Sequence, residues 1–221
     1  MTVEIIERLS SLRDQSKSQA MAKYMRDKFA FLGITSPDRK QVIKEYIPRV
    51  RSLDHLPRTE IILALWQQEE REYQYAAMDL YIASKSKLAE EDMDVVVDLL
   101  STKQWWDTID LLASHLVGHL WKKYPHLHEK YYSSWLKEED IWLNRTCLLY
   151  QLKYRELLDT TALEQAITAL QHKNEFFIQK AIGWILRQYS RYDPGYVISI
   201  VQTKGIQGLA KREALKLIEQ A

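Results

Sequence analysis

Apolar residues recur along this chain with the period of an α-helix, and the helices they mark themselves recur at a nearly constant interval. Tyr73, Trp105, Trp142 and Phe176 stand at similar places near the starts of comparable helices, 32, 37 and 34 residues apart. Each of these helices follows a shorter one. A helix pair cannot bury its apolar stripe alone, so pairs repeated at one period stack on each other. No segment alternates convincingly with period two. The expectation is therefore an all-α fold, a right-handed α-solenoid with a concave face lined by the second helix of each pair. The interval is shorter than the ~40–47 residues of HEAT and armadillo units, hence HEAT-like helical repeats. No Pro/Gly/Ser linker or low-complexity tract interrupts the chain, so 1–221 is expected to form a single HEAT-like repeat domain.

The spacing predicts helices over 3–13, 18–29, 36–51, 57–66, 69–85, 90–100, 105–123, 125–136, 140–154, 160–172 and 175–192, with two short ones at 196–203 and 208–220. Ser36-Pro37-Asp38 reads as a helix start with Ser as N-cap, Pro at the first position and acid in the first turn. Asp140 and Asn174 are further candidate caps. Asp193-Pro194-Gly195 reads as a turn.

Charge does not announce a partner. The 31 basic and 30 acidic residues leave a net charge of +1, so any basic footprint is local. The C-terminal helices hold a concentration of basic residues, from Arg145 through Lys180 and Arg187 to Arg212, while acids are richer over 69–98. That pattern suits a phosphate backbone, with rings for sugars or bases, or equally a solvated face of paired charges. Cys147 is the single cysteine, which excludes an intrachain disulfide and points to a reducing compartment. There is no cleavage pattern near Met1 and no apolar run approaching ~20 residues, so no leader and no membrane segment are expected and the cytoplasm is the default. Seven tryptophans exceed what a core of this size needs, and some are expected to face outward.

The densest chemistry lies in Trp105-Trp106-Asp107-Thr108-Ile109-Asp110. On a helix Trp106 and Asp110 share a face, which sets a carboxylate beside an aromatic wall. Trp105 and Ile109 form the neighbouring row and suit the core. Asp107 suits the positive end of a helix. Asp110, one turn in and between apolar neighbours, is either a structural carboxylate paired with an arginine or a functional one. His115 and His119 are four apart but belong to no HExxH, and no cysteine accompanies them, so no metal is expected. No GxGxxG or GxxxxGK[ST] motif occurs, and no cofactor is expected. Cys147 lies in an apolar run and suits packing rather than catalysis. Trp184, in Ile182-Gly183-Trp184-Ile185, suits core and surface equally.

Three stretches carry a resemblance: Trp105 through Asp110, then Trp142-Leu143-Asn144-Arg145, then Gly183-Trp184-Ile185-Leu186-Arg187. With Lys23-Tyr24-Met25-Arg26 and Gly33-Ile34 through Pro37-Asp38-Arg39, they resemble the AlkD-like family of DNA alkylation repair glycosylases, over nearly the whole chain. The family is built of HEAT-like repeats. The resemblance implies a monofunctional glycosylase that excises positively charged alkylpurines, chiefly 3-methyladenine and 7-methylguanine, from duplex DNA and leaves an abasic site. It assigns Asp110 as the catalytic acid residue and Trp106 and Trp184 as the two tryptophans that hold the lesion's deoxyribose. It places Arg145 near a backbone phosphate and Tyr24 on DNA, and Arg187 suits a further phosphate. Double-stranded alkylated DNA would lie in the concave groove, and a monomer is expected for an enzyme that wraps a duplex.

The implied chemistry is coherent. A cationic purine is already a good leaving group, so the barrier lies in the oxocarbenium-like sugar. A carboxylate near C1′ stabilises that cation and orients water, and indole faces add cation–π attraction. No tight base pocket is required, unlike in enzymes that flip their target base. Two other classes compete: a catalytically inactive DNA-binding HEAT-like paralogue, and a protein-interaction scaffold.

Overall fold

The computed structural model describes residues 1–219, and all regular structure among them is helical. The backbone divides into two compact units, from Met1 to Val95 and from Val96 onward. The first holds α1 (Thr2–Ser10), α2 (Gln15–Tyr24), α3 (Ser36–Lys44), α4 (Ile47–Arg51), α5 (His55–Gln67) and α6 (Arg71–Ala83). The division falls inside α7 (Asp92–Ser101). The second holds α8 (Trp106–Leu111), a π-helical turn (Leu112–Val117), α9 (Gly118–Lys123), α10 (Pro125–Trp135) and α11 (Ile141–Leu149). It continues with α12 (Thr160–Leu170), α13 (Phe176–Tyr189), α14 (Pro194–Thr203) and α15 (Gly208–Leu215).

Helix starts obey a stricter period than the aromatic residues do. α3, α6, α8, α11 and α13 begin at residues 36, 71, 106, 141 and 176, so 35 residues separate each from the next. Tyr73 is the third residue of its helix, Trp105 precedes its own, Trp142 is second and Phe176 first. They are not equivalent positions, which is why they lie 32, 37 and 34 apart. A side-chain amide marks the fourth place of three of these helices. Gln74 donates to Trp66 O and Gln68 O, at 3.0 and 2.7 Å. Asn144 donates to Trp135 O and Glu138 O, at 2.7 and 3.2 Å. Gln179 donates to Gln171 O and Lys173 O, at 3.1 and 2.7 Å. Each thus satisfies carbonyls that the end of the preceding helix leaves open.

Caps decide the local boundaries. Asp140 caps α11 as expected, accepting from Trp142 N and Leu143 N. α3 is capped by Thr35, one residue before the expected Ser36. α13 follows Glu175 rather than Asn174, with no side-chain cap. Asp193 accepts from Tyr196 N and Pro194 is the first residue of α14, so Asp193-Pro194-Gly195 opens a helix instead of forming a free turn. The segment 36–51 is two helices, because Pro48 has no N–H to bond to residue 44 and its ring crowds that carbonyl. The expected helix 208–220 ends at Leu215 as an α-helix, and its last expected residue, Gln220, lies outside the described residues.

The first unit centres on Ile5, Leu9, Leu32, Ile62, Leu65, Trp66 and Leu80, all fully buried. The second centres on Leu112, Leu116, Leu120, Leu149, Ile167, Ile178 and Ile182. No helix among the described residues is long and apolar enough to cross a membrane.

Candidate active site

α8 starts abruptly. Trp105 is fully extended (φ −163°, ψ 160°), and the chain turns helical at Trp106. Thr108 and Ile109 are buried, and Asp110, the fifth residue, emerges on the face that meets α11. Arg145 is the fifth residue of α11. Its Nε donates to Asp110 Oδ1 at 2.7 Å and its Nη2 to Asp110 Oδ2 at 2.9 Å. This is the two-point geometry that makes arginine–carboxylate pairs strong and directional. Arg145 Nη1 donates to the backbone oxygen of Phe177, so α13 holds the arginine from its other side. The pair is hidden but not sealed: the Asp110 side chain keeps 13% of its exposure and that of Arg145 5%.

Burial pushes the Asp110 carboxyl above the ordinary aspartate value. Arg145 opposes that rise through its hydrogen bonds and charge, and Asp107 adds to it by repulsion. The result is a carboxylate of raised basicity whose two oxygens are fixed in direction.

An aromatic layer lies against the pair. Trp105, Trp142 and Phe177 form a triangle with ring centroids 5.5, 5.2 and 5.0 Å apart. The Arg145 guanidinium stands 5.9 Å from the Phe177 ring. Trp105 belongs to this buried layer, as its row on the helix implied. Trp106 is half-buried, one turn before Asp110 on the same face. Trp184 is half-buried on α13, seven residues beyond Phe177 and therefore on the same stripe. Its neighbour Gly183 is pressed against α15, where an added Cβ would stand 2.8 Å from Ala210 O and 2.4 Å from Glu213 Cβ.

The remaining expected DNA contacts sit elsewhere. Arg187 pairs with Glu213 of α15, and Lys180 reaches the other oxygen of Glu213 at 2.7 Å. Lys180 is the fifth residue of α13, so Asp110, Arg145 and Lys180 hold one place in three successive helices of the 35-residue series. Tyr24 ends α2 in the first unit and is well exposed. It borders a cleft of about 350 Å³ with Met21, Met25, Phe31 and Tyr75. Cys147 is buried, and burial pushes its thiol far above the usual value. Phe177 and Glu213 were not singled out from the sequence. The 35-residue spacing, counted from helix starts, is the signal that sets Phe177 beside Trp142, each the second residue of its helix.

The sequence profile of the DNA alkylation repair enzyme family matches residues 5–218. Among solved structures, one described as a predicted DNA alkylation repair enzyme from Enterococcus faecalis is 30% identical, with a TM-score of 0.87. The alignment covers 95% of this chain and 98% of that one. No curated protein matches the chain. A family match over nearly the whole length, joined to an all-helical chain that buries an arginine-held aspartate, places this protein in the DNA alkylation repair enzyme family.

Proposed function

We propose that this chain is a monofunctional DNA glycosylase. It hydrolyses the N-glycosidic bond of positively charged alkylpurines, 3-methyladenine and 7-methylguanine, in duplex DNA, and leaves an abasic site without flipping the base into a pocket. The observation that carries the proposal is the Asp110 carboxylate held at both oxygens by Arg145 in a member of this family. The helix starts spaced 35 residues apart support a single array of HEAT-like repeats over 1–221, with a concave groove for one duplex per monomer.

In this reading the C1′–N bond breaks and its electron pair neutralises the cationic purine, so no proton donor is needed. Positive charge then grows on the sugar, where the Asp110 carboxylate stabilises it. Water adds to C1′, and its proton passes to Asp110 or to solvent. Burial makes Asp110 a better base, and Arg145 keeps it ionised and aimed. Trp106 and Trp184 flank the sugar and add cation–π attraction as its charge develops. Tyr24 and Arg187 contact DNA. Arg145 commits three of its five N–H groups to Asp110 and Phe177, which leaves two for a phosphate oxygen.

The test is release of free 7-methylguanine and 3-methyladenine from methylated duplex DNA, by wild type and Asp110→Asn, with a uracil duplex as control. Wild type is expected to release both bases and to leave uracil untouched, and the variant to be slower by about 10²–10³-fold. No release by wild type with salt-dependent DNA binding intact would leave the non-catalytic paralogue. Absence of DNA binding as well would leave the protein-interaction scaffold.

A further inference from the structure

The helix that carries Asp110 changes its winding just beyond it. α8 ends at Leu111, Leu112–Val117 form a π-helical turn, and α9 resumes at Gly118. Such turns are rare and recur where a helix must re-aim side chains. In an uninterrupted α-helix of about 3.6 residues per turn, Asp110 and Gly118 would point roughly 80° apart. The wider i→i+5 turn takes up that excess and lets both face one neighbour, α11.

Both do meet α11. Asp110 bonds Arg145, and Gly118 lies against Tyr150, the residue that caps the C-terminus of α11. A Cβ added at Gly118 would stand 2.2 Å from Tyr150 O and 3.2 Å from Tyr150 C. Tyr154 Oη donates to Gly118 O at 2.7 Å and holds the same point from outside. Ser114, inside the π turn, donates its hydroxyl to Asp110 O at 2.7 Å. The two helices are therefore pinned at two places, one at the ion pair and one at a glycine that admits no side chain.

The geometry points to Gly118, together with the π turn, as a positioning device that sets how Asp110 meets Arg145. Gly118 touches no substrate and acts through that pair. A methyl group at Gly118 pushes the Asp110 helix off α11 at one pin and loosens the two-point bond at the other. The charged groups around Asp110 are Arg145 from α11 and Asp107 from its own helix. With Arg145 displaced, what remains is burial and Asp107, and both raise the proton affinity of the carboxylate.

The kinetic arm of the test rests on the glycosylase reading above, and the titration arm does not. Asp-labelled protein would be titrated by carboxyl ¹³C NMR, with the Asp110 signal assigned by its loss in Asp110→Asn. In Gly118→Ala the Asp110 midpoint is expected to move to higher pH and the Arg145 Nε–H signal to shift. Single-turnover base release is expected to fall by about tenfold to a hundredfold with DNA affinity little changed. Tyr154→Phe, which removes only one hydrogen bond to Gly118, is expected to move the midpoint the same way by less. A folded Gly118→Ala with the wild-type midpoint overturns the inference. If that variant does not fold, an unmoved midpoint in Tyr154→Phe overturns it instead. A moved midpoint in a protein whose wild type releases no base supports the positioning role and sinks the glycosylase reading alone.

Discussion

Asp110 and Arg145 are each the fifth residue of their helix, and the 35 residues between them are one full period of the helix series. Their side chains meet at 2.7 and 2.9 Å because equivalent places on successive helices of the series face each other. Two equivalent positions of the helix series, one acidic and the next basic, in this way form a single ion pair. The partly buried carboxylate that results is aimed, and its proton affinity is set by two opposed causes.

In the proposed reaction Asp110 acts as a carboxylate, so base release is expected to be lost as pH falls through its folded-state value, which burial places above that of an ordinary aspartate. Arg145 lowers that value, so Arg145→Met is expected to move the acid limb to higher pH and to slow release at neutral pH. The sign for stability is opposite to that of a salt-bridged surface acid. A raised carboxyl contributes stability that is present below its unfolded value and lost as pH rises through the folded one. Single-turnover rates and urea midpoints across the acid range check both.

Glu213 holds Lys180 and Arg187 at once. In Glu213→Gln both cations are released. If they face the duplex, DNA binding is expected to tighten several-fold, and the slope of log K against log salt to steepen by up to about 1.8, two phosphate contacts at ~0.9 each. The Glu213 carboxyl lies below its usual value, chiefly through Lys180 and then Arg187. Its stability contribution is therefore present above the unfolded value and lost as pH falls through the folded one. Lys180 is more than a third exposed, so screening keeps that contribution below about 1 kcal/mol. Binding isotherms at several salt concentrations decide the matter, and an unchanged slope would remove Lys180 and Arg187 from the DNA surface.

Glu72 is a structural carboxylate of the first unit. Fully buried, it accepts from Leu32 N, Gly33 N and Ile34 N at 2.9, 2.8 and 3.0 Å. Gly33 is held at φ +89°, with room for no Cβ beside Asp14 O. Glu72→Ala strands three amide donors and is expected to cost about 3 kcal/mol or more. A drop in the urea midpoint at unchanged slope measures it.

Cys147 is expected to be inert. It is buried, its sulfur lies 3.8 Å from Tyr132 O, and burial favours the neutral thiol. A disulfide reagent is expected to label it only at the rate of unfolding. Cys147→Ala is expected to retain full base release, so rapid labelling of the native protein, or lost activity in that variant, would contradict this assignment.

Local chemistry was legible along the chain. Helical periodicity, the Asp140 cap, the Trp106 and Asp110 face and the burial of Trp105 and Cys147 all follow from residue type and spacing within one or two turns. The family, too, was legible from dispersed residues in the right order. What spacing missed was register. Counted from aromatic residues, Arg145 falls about two places away from Asp110, whereas counted from helix starts the two coincide. Aromatic rings drift along a helix start because several neighbouring places can fill the same interior gap.

Some features belong to the tertiary structure alone. The π turn after Asp110 has no local signature in Leu112–Val117 and exists where both Asp110 and Gly118 are drawn to α11. Arg187 suits a phosphate contact by its sequence, and only the fold brings Glu213 of α15 to pair with it. Hydrogen bonding within a helix depends on residues four apart, so sequence carries it directly. Which carboxylate meets which guanidinium depends on how far two packed helices slide and rotate, and that is set by the fit of whole surfaces.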